Sequence, residues 1–170
     1  DQRVPRGKQW QRALWLLVEM EERGAVPDSI ILNAAISACE ADQQWEIALA
    51  LYEDMRRRDV APDVVTFGAA IHACEKGRQW RSAVGLLGDM QRQRVLPNLI
   101  TYSAAIGACE KAYEWQSVLA LFEEMRAERV APDAGAFGAA IGALERGRQE
   151  LSLSKMLEEL QKPCTRKLLA

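Results

Sequence analysis

Trp10, Trp45, Trp80 and Trp115 stand 35 residues apart, and Pro27, Pro62, Pro97 and Pro132 keep the same step, as do Met20, Met55, Met90 and Met125. A repeat of about this length suits a helical hairpin, which cannot bury its apolar face alone and must stack on copies of itself. At 170 residues and 49% hydrophobic, the chain would otherwise read as one globular domain around a single core. The repeat replaces that expectation with an open stack whose core lies between neighbouring units.

The unit at 64–98 shows how one copy folds. Phe67, Ala70, Ile71 and Cys74 fall at i, i+3, i+4 and i+7, the spacing of one helical face, and predict a first helix over 65–76. Gly77 is expected to break it. From Trp80, the residues Ala83, Val84, Leu87 and Met90 repeat the spacing on a second helix that ends near Arg92. Pro97 disfavours helical geometry at the residue before it and closes the unit. The same pattern divides the chain into a partial unit at 1–28 holding only a second helix, full units at 29–63, 64–98 and 99–133, and a degenerate unit or cap at 134–170. In the last, Gly135, Gly138 and Gly142 weaken the first helix by about 1 kcal/mol each relative to alanine. Glu150 takes the tryptophan place there, while Leu153, Met156, Leu157 and Leu160 keep a second amphipathic helix. The opening on a partial unit without a leading methionine reads as a piece of a longer protein.

Composition narrows the partners. A net charge of -2 supplies no global positive field for polyanions, so any such partner must be held by a local basic stripe. No apolar run is long enough to span a bilayer, and no signal-peptide pattern opens the sequence, so no membrane role is expected. Cys39, Cys74 and Cys109 recur at the repeat step, with Leu144 in the fourth equivalent place and Cys164 apart from them. No C-x2-C pair exists, so they read as small buried hydrophobes in a reducing compartment, with no metal site. His72, the single histidine, is matched by Ser37, Gly107 and Gly142 in the other units, which argues against a catalytic role. With no phosphate loop and no deaminase motif, neither an enzyme, a cofactor nor a small-molecule substrate is expected.

A second stripe runs along each first helix, set apart from the core face by steps of three and four residues. It comprises Ile30, Asn33, Ser37 and Ala41; then Val65, Gly68, His72 and Lys76; then Ile100, Ser103, Gly107 and Lys111, with Arg6 and Arg146 in the basic place of the end units. Stacked side by side and roughly opposite the core, these helices would present rows of aliphatics, small polar groups and positive charges. Single-stranded nucleic acid fits that order, with bases between aliphatics, base edges at short hydrogen-bonding groups, and phosphates at Lys76, Lys111 and Arg146. Glu40, Glu75, Glu110 and Glu145 beside the basic places read as solvated or paired with neighbouring arginines. Asp28, Asp63, Asn98 and Asp133 precede first helices and are good N-caps, worth about 1 kcal/mol each.

The V-T-Y/F opening, the A-L-x-L-F-E-E-M second helix and the closing P-D, in stretches such as LITYSAAIGACEKAYEWQSVLALFEEMRAERVAPD, resemble the pentatricopeptide repeat family over nearly the whole chain. The resemblance implies an all-α fold, a right-handed superhelical α-solenoid of stacked helix-turn-helix repeats. It also implies sequence-directed binding of single-stranded RNA in organelle RNA processing, stability or translation, in a mitochondrion or plastid. In that family the fifth and last residues of each unit choose the base, here Asn33 with Asp63, Gly68 with Asn98, and Ser103 with Asp133. By the family code the first pair favours uracil and the third guanine. Asn98 leans toward adenine without help from Gly68, and Gly138 with Leu168 gives no reading. Ile30, Val65 and Ile100 would sandwich the bases. The alternative is a protein-binding scaffold of the tetratricopeptide type.

Overall fold

The computed structural model describes residues 8–147, with the side chains of residues 146 and 147 left aside. Arg6, Cys164, Leu168, the second helix expected after Glu150 and the side chain of Arg146 therefore lie outside the described residues. Eight helices follow in order: α1 (Gln9–Glu22), α2 (Ser29–Ala41), α3 (Trp45–Arg57), α4 (Val64–Lys76), α5 (Trp80–Arg92), α6 (Leu99–Lys111), α7 (Trp115–Ala127) and α8 (Ala134–Gly147). The described residues form no strand. The helices expected over 65–76 and from Trp80 to Arg92 are α4 and α5.

The first helices α2, α4, α6 and α8 pack on one another in succession, while α3, α5 and α7 each sit in the notch between two successive first helices. Successive second helices meet through side chains, Tyr52 donating to Asp89 at 3.2 Å and Gln91 to Glu124 at 2.5 Å, while the first helices are flanked on several sides and carry the heavier burial. In α6 this reaches Thr101, Tyr102, Ala104, Ala105, Ile106, Gly107, Ala108 and Cys109, a run made largely of small residues that let neighbouring backbones approach. Each second helix buries one stripe, ending at the repeated methionine. Met55, Met90 and Met125 are fully buried, which stabilises each unit by roughly 1.5–3 kcal/mol per side chain.

Each first helix opens on a side-chain cap. Asp28 accepts from Ile31 N at 2.9 Å, Asp63 from Thr66 N at 2.9 Å, Asn98 from Thr101 N at 3.0 Å and Asp133 from Ala136 N at 2.7 Å. The hairpin turns use a different device from the glycine expected at Gly77. That residue has φ -81° and caps α4 in ordinary geometry. The left-handed residue is Arg78 at φ 56°, with Gln43 and Tyr113 in the same place in the other units. Arg78 N bonds Glu75 O at 3.1 Å and Gln79 N bonds Cys74 O at 2.8 Å, so the paired bonds of the helix end compensate a conformation that non-glycine residues adopt at some cost. Gly77 is small for another reason: a Cβ there would lie 2.3 Å from Trp45 Cδ1 and 2.4 Å from its Cγ. Trp45 thus packs its indole on the backbone of the next unit's turn.

Cys39, Cys74 and Cys109 are buried free thiols, and no described group of side chains could hold a metal ion. Burial raises Cys39 to about 11, with the Asp42 charge adding to it, and burial pushes Cys74 to about 12. Cys109 is likewise raised to about 12 by burial and by the charge of Glu114. No described helix is long and apolar enough to cross a membrane.

Candidate nucleic-acid interface

The second residue of each first helix stands clear of the packing. Ile30 is 75% exposed, Val65 55% and Ile100 59%, and the stacking of α2, α4 and α6 sets the three in one row. Water around branched aliphatics in that position is unfavourable, so the row is suited to being covered by something flat and apolar.

The fifth residues are placed differently from the expectation that the whole stripe faces away from the core. Asn33, Gly68, Ser103, Ser37 and His72 are half-buried and Gly107 is buried. The packing of one first helix against the next partly covers these places, leaving the first and last residues of the stripe the most open. Asn33 and Asp63 meet: Asn33 Nδ2 donates to both carboxylate oxygens at 3.2 and 3.3 Å. Thr66 joins them, its hydroxyl donating to Asn33 Oδ1 at 2.6 Å and accepting from Asp63 N at 3.1 Å. Desolvation alone would raise the Asp63 carboxyl, but the Thr66 amide and hydroxyl and the Asn33 amide outweigh it and hold it below its ordinary value.

Gly68 faces open space, with nothing within 4 Å of where a Cβ would stand, and Asn98 above it caps α6. In the third unit Asp133 caps α8, while Ser103 Oγ is buried without a hydrogen-bond partner. The structure thus brings together the first of the three candidate pairs and leaves Ser103 and Asp133 without a direct hydrogen bond.

The basic row is also occupied differently. Lys76 Nζ lies 2.5 Å from Glu40 Oε1 and donates to the Glu40 carbonyl at 3.2 Å, and Lys111 Nζ lies 2.8 Å from Glu75 Oε1. Of the glutamates expected to be solvated or to take arginines, Glu40 and Glu75 instead pair with the lysine of the next unit. His72 Nδ1 is 3.4 Å from the other oxygen of Glu75. Desolvation would raise Glu75, but hydrogen bonds from His72 and Lys111 and the Lys111 charge win, holding its carboxyl below the ordinary glutamate value. The path of Glu75 crosses Gly107, where a Cβ would come within 2.8 Å of Glu75 Oε1. Gly107 leaves room for this path of Glu75, although the Glu40–Lys76 rung forms with His72 at the equivalent place.

A stack of helical hairpins, with one layer of first helices offering an exposed aliphatic row, a row of small residues of which Asn33 is tied to a helix cap, and a charge ladder, defines an α-solenoid. A profile described as "Pentatricopeptide repeat domain" matches residues 50–112, and one described as "PPR repeat" matches residues 30–60 and 100–130. The chain belongs to the pentatricopeptide repeat family. No curated protein sequence matches it significantly.

Among solved structures, the chain is similar to the PPR domain of Arabidopsis thaliana protein-only RNase P 1 in complex with tRNA, with a TM-score of 0.81 and 15% identity over 94% of this chain and 88% of that one. Nuclear proteinaceous RNase P 2 from A. thaliana gives a TM-score of 0.83 at 14% identity, over 95% of this chain and 38% of that one. Identities this low speak for the fold. The pentatricopeptide repeat protein PPR10, in complex with an 18-nt psaJ RNA element, gives 0.74 at 26% identity, over 90% of this chain. The match spans only 23% of that PPR10 chain.

Proposed function

We propose that this chain is a single-stranded RNA-binding module that reads bases along the face formed by α2, α4 and α6. The observation that carries the reading is the exposure, in register, of Ile30, Val65 and Ile100, each three residues before a half-buried place held by Asn33, Gly68 or Ser103. Aliphatics at this spacing take bases between them, and amides, hydroxyls and carboxylates beside them meet Watson–Crick edges. The complexes of PPR10 with an RNA element and of RNase P 1 with tRNA support it. Asn33 with Asp63 reads uracil, Ser103 with Asp133 reads guanine, and Gly68 with Asn98 accepts the base between them. Lys76, Lys111 and Arg146 serve the phosphates. The work of the module is binding without turnover, in processing, stability or translation of transcripts in a mitochondrion or plastid.

Equilibrium binding at low salt to a randomised single-stranded RNA pool, with matched single-stranded DNA and duplex RNA beside it, tests this. Enrichment of uracil and guanine separated by one base is the expected result. No binding, also in a version lengthened by further copies of 64–133, would overturn the reading and favour a protein-binding scaffold on the same face.

A further inference from the structure

We infer that Thr66 is a positioning residue for base choice, one that fixes which way round the Asn33 amide is presented and so separates uracil from cytosine; this rests on the RNA-binding reading above. The two pyrimidines exchange donor and acceptor along their pairing edge, uracil offering O4 as an acceptor where cytosine offers an amino donor. An asparagine amide free to turn over complements either. An amide held one way round complements one.

The geometry holds Asn33 from both ends. An ionised carboxylate only accepts, so the face of the amide toward Asp63 must be Nδ2, at 3.2 and 3.3 Å from its two oxygens. The opposite end then presents Oδ1 to the Thr66 hydroxyl, whose single proton lies between Asn33 Oδ1 at 2.6 Å and Asp63 Oδ1 at 3.0 Å, with Asn33 the nearer acceptor. That hydroxyl also accepts from Asp63 N at 3.1 Å, which holds its oxygen beside Asn33, while the Asp63 carboxylate bars the reversed amide. A turned amide would set Oδ1 against the carboxylate. Thr66 is buried, which shields its hydroxyl, while the Asn33–Asp63 bonds lie at the surface. What remains for a base is the second N–H of Nδ2 and the second lone pair of Oδ1, in fixed order.

The other units give internal contrasts. Thr101 makes the same bonds to its cap, with Asn98 N donating to its hydroxyl at 3.0 Å, but Gly68 offers it no side chain to orient, and its hydroxyl turns back to Asn98 O. In the third unit the equivalent place is Ala136, and there Ser103 Oγ is left without a partner. The orienting hydroxyl and an orientable side chain coincide only at Asn33 among the described units.

The test uses this chain and two single-stranded RNAs that differ by uracil or cytosine at the base facing Asn33, with Thr66→Val, Thr66→Ser and Thr101→Val alongside. Thr66→Val should lower the uracil-to-cytosine affinity ratio about fivefold, the factor set by one ordinary hydrogen bond, and Thr66→Ser should restore it. Thr101→Val removes an equivalent cap hydroxyl and should leave that ratio unchanged. In NMR spectra, the Asn33 side-chain amide should exchange with water faster in Thr66→Val than in the parent. A cap role alone would weaken both RNAs equally in Thr66→Val, and that result, or an unchanged Asn33 amide, would overturn the inference while leaving RNA binding intact. Failure of the unaltered chain to bind either RNA would instead overturn the RNA reading itself, and this inference with it.

Discussion

Exchanging glycine for alanine should have opposite signs at two places in the same hairpin. At Gly85, in the middle of α5 and exposed, nothing stands within 4 Å of the added methyl, and the chain gains the helix preference of alanine, about 0.5–1 kcal/mol. At Gly77 the methyl would lie 2.3 Å from Trp45 Cδ1, 2.4 Å from Cγ and 2.9 Å from Nε1. Ordinary contact begins near 3.4 Å, so the ring must retreat by roughly 1 Å, and those atoms are the root of the indole rather than its free end. Overpacking of this kind costs about 1–3 kcal/mol, against which the relief of unfolded-chain entropy restores about 0.4–1 kcal/mol. Gly77→Ala should therefore destabilise by about 1–2 kcal/mol while Gly85→Ala stabilises. Urea unfolding followed by circular dichroism measures both, and the Trp45→Ala background isolates the cause, since the Gly77→Ala penalty should disappear there. A stabilising Gly77→Ala, or a penalty that survives removal of the indole, would refute the assignment of Trp45 to the next unit's turn.

The remaining expectations concern charge, acid and thiols. Glu75→Gln releases Lys111 from its 2.8 Å partner, so RNA affinity should rise and the logarithmic salt slope steepen by about 0.7 for one further phosphate on a single strand; an unchanged slope in salt titrations would remove Lys111 from the phosphate row. Both Glu75 and Asp63 have carboxyls held below their unfolded values, so their contribution to stability is in full above the ordinary carboxylate range and is lost as the pH falls through it to their folded values. Denaturant midpoints should accordingly fall on acidification below about pH 4.5, less steeply in Glu75→Gln, and an identical acid profile in that variant would refute the linkage. Cys39, Cys74 and Cys109, raised to about 11, 12 and 12 by burial, should resist thiol reagents at neutral pH until the chain unfolds, as read residue by residue by mass spectrometry.

How far the sequence carries depends on where the deciding partner lies. Helices such as α4 and α5 follow from apolar spacing within one unit, and the caps Asp28, Asp63, Asn98 and Asp133 follow from residue type and place. Each of these is decided by neighbours within a few residues along the chain. Gly77 misleads for the complementary reason: within its own unit it reads as a helix breaker, whereas its smallness answers to Trp45 in the unit before. The charge ladder has the same origin. Helical pairing rules look three or four residues away, and the partners here are Glu40 with Lys76 and Glu75 with Lys111, one full repeat and one residue apart. A signal for it does exist in the sequence. When Glu and Lys are adjacent at 75–76 and again at 110–111, lateral stacking of equivalent helices sets the glutamate of one unit beside the lysine of the next, and a glycine at Gly107 clears the way between them.

The same rule of lateral reading explains the proposed recognition face. Asn33, Asp63 and Thr66 belong to a fifth place, a last place and the third place of the following unit, and no single unit contains all three. Their contact exists because Asp63 both ends one unit and caps the next helix, so the residue that terminates a repeat is carried back over the first helix it follows. A cap that must sit at that place to start α4 is thereby delivered beside Asn33, the side chain proposed to face a base. Stability and the proposed base choice then meet at one carboxylate: a change at Asp63 alters the cap of α4 and the partner of Asn33 together, whereas a change at Asn33 removes its bonds to Asp63 and Thr66 but leaves the cap bond from Thr66 N in place.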